Sequence, residues 1–331
     1  MAFTKKEGTR MSRAAAASPA GKKPLGQRVK RFVVDFVRQW ELQSMIWPGI
    51  VFMIIFNFLP IYGLVIAFKR YTVIDTFETA PWVGLENFRI ILEDKFFWES
   101  VVNTLAISLL KLAVGFVIPI ILAVMIHELH YRRFKRIVQT ISYLPHFLSW
   151  IVLGGMLINW LSTTGLFNVL LLKLGIISQP KNYLLDADKF WWIAVLSDIW
   201  KEAGWGTILY LAAMTTIDPT YYEAARIDGA NRLRQIWHIT LPNIRLIISL
   251  NLILTISGLF GSNLDQALVL MNAQNRERAE VINSYVFRMG IAQGDFSYAT
   301  AVGLGVSIIS LLLLIMANKA TTKLNDNQSV L

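Results

Sequence analysis

The sequence predicts an all-α integral membrane protein with six transmembrane helices, and three observations carry that prediction. Of the 331 residues, 55% are hydrophobic and only 16% charged, whereas a soluble domain carries roughly a quarter charged residues. The apolar residues gather in continuous runs that approach the roughly 20 residues needed to cross a bilayer core as a helix. They do not alternate as the strands of a spanning barrel would. The net charge of +10 is also lopsided, with ten Lys and Arg in residues 1–45 against Glu7, Asp35 and Glu41.

A basic tail ahead of a first apolar run marks a cytoplasmic N-terminus. Nucleic acid would attract the same charge, but a tail feeding straight into a membrane span needs no nucleic-acid partner. Ala14 to Ala20 has the small-residue look of a cleavage site, yet no apolar run precedes it, so a signal peptide is not expected. With no cysteine in the chain, disulfides, thiolate metal sites and cysteine nucleophiles are excluded.

In order, the elements are a basic cytoplasmic tail (1–45), a first span (46–68) closed by Lys69-Arg70, and an acid-rich extracytoplasmic connection (69–96). The second span covers about 104–126 and ends at the basic turn Arg132-Arg133-Phe134-Lys135-Arg136; the third covers about 141–161. A long connection (162–189) holds an apolar stretch, 166–177, short enough for an interfacial or re-entrant helix. The fourth span runs over 191–214, the fifth over 244–260 with a continuation to 270, and the sixth over 298–316. A tail (318–331) ends the chain. An even number of spans puts both termini on one side, where the tail, the Arg132–Arg136 turn, Arg226, Arg232, Arg234 and Arg245 also fall. That asymmetry obeys the positive-inside rule. A seventh span at 166–177 would invert everything after it.

Between the fourth and fifth spans lies a polar, helix-forming segment, 215–243. Asp218-Pro219 is a strong helix start, because Asp caps free N–H groups and Pro suits the first turn. Asp228-Gly229 stops that helix, since Gly accepts the left-handed backbone that ends one. A second amphipathic stretch, 231–240, returns the chain to the bilayer, and Pro242 is placed to open the fifth span. The product is a bent helical pair able to pass on a push. The plainer alternative is an interfacial amphipathic helix with no partner.

Glu223-Ala224-Ala225, Gly229 four residues on, and Ile239-Thr240-Leu241-Pro242 together resemble the EAA signature loop of permease subunits of binding-protein-dependent ABC importers. Val83-Gly84-Leu85-Glu86-Asn87-Phe88 is similar to the stretch ahead of that family's second span, and Asn103-Thr104 to that span's usual opening. The run from Gln139 to Trp150, Tyr285 to Gly290 and Ser297 to Gly303 resemble its polysaccharide-type sugar branch. The likeness covers about 46–320, with the permease domain proper at 97–317. It implies a type I importer (MetI-like) core with a cytoplasmic EAA coupling loop, in the bacterial cytoplasmic membrane. It further implies two separate ATPase subunits, a second permease, an extracytoplasmic solute-binding protein and an oligosaccharide substrate moved by alternating access. Glu223, Ala224, Ala225, Asp228, Gly229, Ile239, Leu241 and Pro242 would then form the contact with the ATPase. The chain has no phosphate-cradling G-x-x-x-x-G-K-[ST] loop, so ATP and Mg would be bound by the partner and this chain would hold no cofactor and catalyse nothing.

Polar groups inside spans are costly and tend to face a cavity or the bundle interior. Trp200, Lys201, Glu202 and Trp205 in the fourth span, with Ser257, Ser262 and Asp265 in the fifth and its continuation, are the candidate substrate-path residues. Aromatic faces stack on sugar rings while carboxylates and amides take hydroxyl hydrogen bonds. Asp198, Lys201 and Glu202 could equally be a salt-bridged cluster that fixes helix packing. Lys111 either snorkels outward or lends charge to the path; with Lys201 it would suit acidic, uronate-type sugars. His146 reads as a packing residue. His127-x-x-His130 beside Glu128 makes a poor metal site, so no metal is expected. An ion-gradient-driven secondary transporter is the main alternative, because such proteins place ionisable relays and broken helices at the midplane. A membrane hydrolase would need a nucleophile and base in the spans, and none is evident.

Overall fold

The computed structural model describes residues 39–324 except Ser262. Most of the basic tail 1–45, the last part of the tail 318–331 and the candidate Ser262 therefore lie outside the described residues. All regular structure among the described residues is helical, apart from one isolated bridge between Lys69 and Trp82. The chain divides into two compact units, residues 1–63 and 64–331.

The helix α1 (Trp40–Phe68), of which residues 40–63 fall in the first unit, starts six residues ahead of position 46. Its portion up to Phe58 buries nothing, as a lipid-facing helix should. In the second unit, the motif residue Asn87 is buried, and its amide donates to the carbonyls of Ala67 (2.8 Å) and Lys69 (3.0 Å). It thereby closes the turn where helical backbone ends.

α2 (Lys95–His127) is capped by Asp94 and interrupted by a π turn at Lys111–Gly115. Asn103 donates to the carbonyls of Glu277 (2.8 Å) and Glu280 (3.0 Å), while Thr104 Oγ1 accepts from the Ile282 amide at 2.8 Å. These two buried side chains tie α2 to the distant segment before the last helix. The stretch 141–161, read from sequence as the third span, is not one helix: it takes in the end of α3 (Arg132–Tyr143), a 3-10 turn (Leu144–Phe147), an extended pair, and then α4 (Trp150–Leu161), capped by Ser149. Pro145 has no amide to donate, which favours the break. α5 (Leu166–Lys173) follows, and Trp150–Lys173 together is long and apolar enough to span.

α6 (Phe190–Thr215) is an unbroken helix of 26 residues. It lies against α3 at Gly204, where an added Cβ would sit 1.9 Å from the Ser142 carbonyl oxygen. α7 (Pro219–Ile227) and α8 (Arg232–Asn243) follow, and α8 meets α9 (Arg245–Ser257) at a 63° bend. α10 (Leu264–Leu270), α11 (Ile282–Phe287) and α12 (Phe296–Leu324) complete the unit. By length and composition, α1, α2, α4 with α5, and α12 can cross a membrane, and the α8–α9 pair would be a fifth span. α6 is long enough but carries Asp198, Lys201 and Glu202 in its middle.

Candidate functional site

The segment after α6 folds as an elbow of two short helical arms. The Asp218 carboxylate accepts from the Thr220 amide at 2.9 Å. That backbone bond, then the Thr220 hydroxyl, holds the carboxyl below its ordinary range. α7 closes on Gly229, whose φ of +76° is left-handed, with the Ala230 amide reaching back to the Ala225 carbonyl at 2.8 Å. Asn231 then caps α8 through the Arg234 amide at 2.9 Å. Tyr222 Oη meets Thr240 Oγ1 at 3.0 Å and pins the two arms together. Ile239 and Leu241, with Tyr222, pack against a core of Ala123, Ile126, Tyr210, Leu211, Met214, Ile217 and Ile244. That core joins the end of α2, the end of α6 and the start of α9. Pro242 sits in the first turn of the short helix that follows the Ile236–Thr240 π turn. Glu223, Ala224, Asp228 and Gly229 are exposed, while Ala225 is half-buried. One face of the elbow is therefore locked to the spans and the other is open.

The second feature is a polar cavity of about 560 Å³ within the helix bundle, walled by α2, α6 and α9 with the break before α10. Lys111, at the head of the π turn, pairs with Asp198 at 2.8 Å. Its ammonium also donates to Asn263 Oδ1 and, at 3.0 Å, to Gln266 Oε1. Gln266 is buried and donates in turn to the Ala194 carbonyl (2.7 Å) and Ser197 Oγ (3.0 Å). Asn263 has φ +84°, and its Nδ2 is buried with no partner among the described residues. On the opposite side the His146 ring stacks on Trp205, centroids 4.3 Å apart and planes within 5°. Its Nδ1 lies 2.7 Å from Glu202 Oε2. The lining thus offers indole faces (Trp150, Trp205), carboxylates (Asp198, Glu202), amides (Asn251, Asn263) and the Tyr210 hydroxyl. That mixture fits polyhydroxylated rings.

The candidate path residues divide. Glu202 and Trp205 line the cavity. Lys201 is buried and turned away: its Nζ donates to the His146 carbonyl and to Glu202, both at 2.8 Å. It satisfies a carbonyl in the broken third span. Trp200 faces a separate apolar pocket beside Trp160. Ser257 Oγ donates to the Leu254 carbonyl at 2.8 Å and Asp265 is exposed, both off the cavity lining. Lys111 points inward rather than snorkelling, and each of the two lysines is matched by a carboxylate, so neither is a free cation for a uronate. Sequence reasoning passed over Trp150, Tyr210 and Gln266. Gln266 alone left a signal, as an amide inside an apolar run.

Residues 115–324 match the family described as the binding-protein-dependent transport system inner membrane component. The chain is 40% identical, over 91% of its length and 93% of the other's, to the polygalacturonan/rhamnogalacturonan transport system permease protein YteP of Bacillus subtilis (strain 168). It is also 40% identical to protein LplB of the same organism, over 86% of this chain and 89% of that one. Its fold superposes with a TM-score of 0.82 and 34% identity on a chain from the crystal structure of a bacterial ABC transporter involved in the import of the acidic polysaccharide alginate; the match covers 88% of this chain and 99% of that one. With that likeness along most of its length, the chain belongs to the inner-membrane permease family of binding-protein-dependent transport systems.

Proposed function

We propose that this chain is one permease subunit of an ABC importer that carries oligosaccharides across the bacterial cytoplasmic membrane. In this reading it crosses the membrane six times, with both termini and the elbow in the cytoplasm. A second permease completes the pathway, two ATPase subunits bind ATP and Mg, and an extracytoplasmic solute-binding protein delivers the sugar. The chain itself performs no catalysis. The observation that carries the reading is the elbow. Its Ile239, Leu241 and Tyr222 are seated in the core that also holds the ends of α2 and α6, and Glu223 stands free on its outer face. A force applied at Glu223 therefore reaches the helices that wall the polar cavity.

Oligosaccharide as substrate is supported by that cavity's lining and by the sugar polymers in the relatives' names. Inside the cavity Glu202, Trp205, Asp198 and Asn251 would meet ring faces and hydroxyls, while a uronate's charge would be met by another chain or by solvent. The test is reconstitution in liposomes with candidate ATPase, second permease and binding protein. Glu223→Ala and Gly229→Pro should abolish sugar-stimulated ATP hydrolysis while leaving the complex's sugar-independent rate measurable. Uptake that persists without any ATPase subunit would instead identify an ion-gradient-driven carrier.

A further inference from the structure

α3 begins in an unusual electrostatic state. Arg132, Arg133, Lys135 and Arg136 fill its first turns with no acidic residue among them, and Tyr131 provides no side-chain cap. Cations at a helix N-terminus oppose its dipole and leave the first N–H groups without an acceptor. None of these four side chains has a carboxylate or hydrogen-bond partner among the described residues, and the three arginines are exposed. Around the same helix, Phe134, Ile137 and Ile141 recur at positions i, i+3 and i+7 and are 54%, 54% and 66% exposed. That spacing sets the apolar side chains on one face, with Arg132 and Arg136 on the other. The cluster therefore caps a surface that water does not suit, beside charges left uncompensated among the described residues.

We propose that the start of α3 is a binding site for anionic phospholipid headgroups. Phe134, Ile137 and Ile141 lie among acyl chains while the four cations hold one or more headgroup phosphates. Charge complementarity selects the occupant. A neutral lipid would cover the apolar face equally well but would leave four cations unmatched, whereas an anionic lipid satisfies both faces at once. The site also has a route to the machinery. α3 bears on α6 at Ser142 and Gly204 with no room for a methyl group, and α6 ends at Thr215, three residues before the elbow's cap Asp218. Headgroup capture thus braces the helix that positions the elbow. From the proposed function this takes only that the chain sits in a bilayer.

The full-length chain, purified in detergent, would be titrated with phosphatidylglycerol or phosphatidylcholine. Lipid retention would be read by native mass spectrometry and stability by thermal unfolding. Wild type should retain phosphatidylglycerol preferentially and melt higher with it. Removing cations should weaken retention about fivefold per charge, so R132Q/R133Q/K135Q/R136Q should lose the preference, while K5Q/K6Q/K22Q/K23Q in the N-terminal tail should keep it. Should the quadruple variant show no cooperative melt in phosphatidylcholine, Arg133→Gln and Arg136→Gln singly must each show the fivefold loss. Any of four results overturns the proposal: unchanged phosphatidylglycerol retention in these variants, equal retention of phosphatidylcholine by wild type, equal stabilisation by inorganic phosphate at the same concentration, or loss of ATPase-subunit capture by the quadruple variant with lipid preference intact.

Discussion

Lys111 is the residue on which most of the polar cavity converges, holding Asp198, Asn263 and Gln266 at once. Replacing it by Met would leave Asp198 facing the cavity uncompensated and two amide oxygens without their donor. The expected loss is about 2 kcal/mol, measured as a lower unfolding midpoint in detergent, together with lost sugar uptake in the reconstituted complex. Lys201→Met should cost stability comparably, because the His146 carbonyl and Glu202 lose the same ammonium. Its nitrogen lies off the cavity lining, so the apparent affinity for sugar should change far less than in Lys111→Met. At the start of α2, Asp94 caps the helix and accepts from the hydroxyls of Tyr285 and, at 2.9 Å, Tyr298. Burial alone would raise its pKa, but those bonds and the Phe96 and Phe97 amides outweigh it and hold the carboxyl below its ordinary value. A depressed folded pKa means stability that is present above the unfolded carboxylate value, about 3.9, and lost as pH falls through the folded value. Thermal melts from neutral pH down to about 3 should therefore show a decline that Tyr298→Phe makes shallower; an unchanged slope would remove Asp94 as its source.

At the scale of elements, two glycines do different work. Gly229 provides a left-handed residue, φ +76°, with open space around it. Gly229→Val should cost about 1–2 kcal/mol through backbone conformation alone and uncouple ATP hydrolysis from sugar, because the angle between α7 and α8 changes. Gly204 is a matter of contact: a Cβ there would collide with the Ser142 backbone. Gly204→Ala should push α3 off α6 at about 1–3 kcal/mol, while Gly303→Ala, with nothing within 4 Å, should be neutral in the same unfolding assay. The elbow was legible in sequence because caps, helix stops and the EAA spacing are local. The break in the third span was not, although Pro145 stood in plain view. A proline within an apolar run is compatible with a kinked helix, and what favours a full break here is an ammonium from α6 that satisfies the freed carbonyl.

For the whole molecule, the absence of cysteine makes orientation in the membrane directly measurable. A single cysteine at Ile74, 94% exposed in the connection after α1, should react with an impermeant thiol reagent in spheroplasts. One at Asp228, in the elbow, should react only after permeabilisation. Labelling of Asp228→Cys from outside would overturn the coupling reading, since no cytoplasmic ATPase could reach that face.

Fold class, the polar elbow and the sidedness of charge follow from the chain alone, because hydropathy, capping and charge distribution act over one helix or one turn. Which in-span polar groups meet the cavity did not. Lys201 and Glu202 are neighbours in sequence, yet one is spent on the His146 carbonyl and the other faces the opening. Trp200 and Trp205, five positions apart, face an apolar pocket and the polar cavity. A helix turns about 100° per residue, so a stretch polar on several faces does not say which of them looks inward; that choice rests on the helices packed around it.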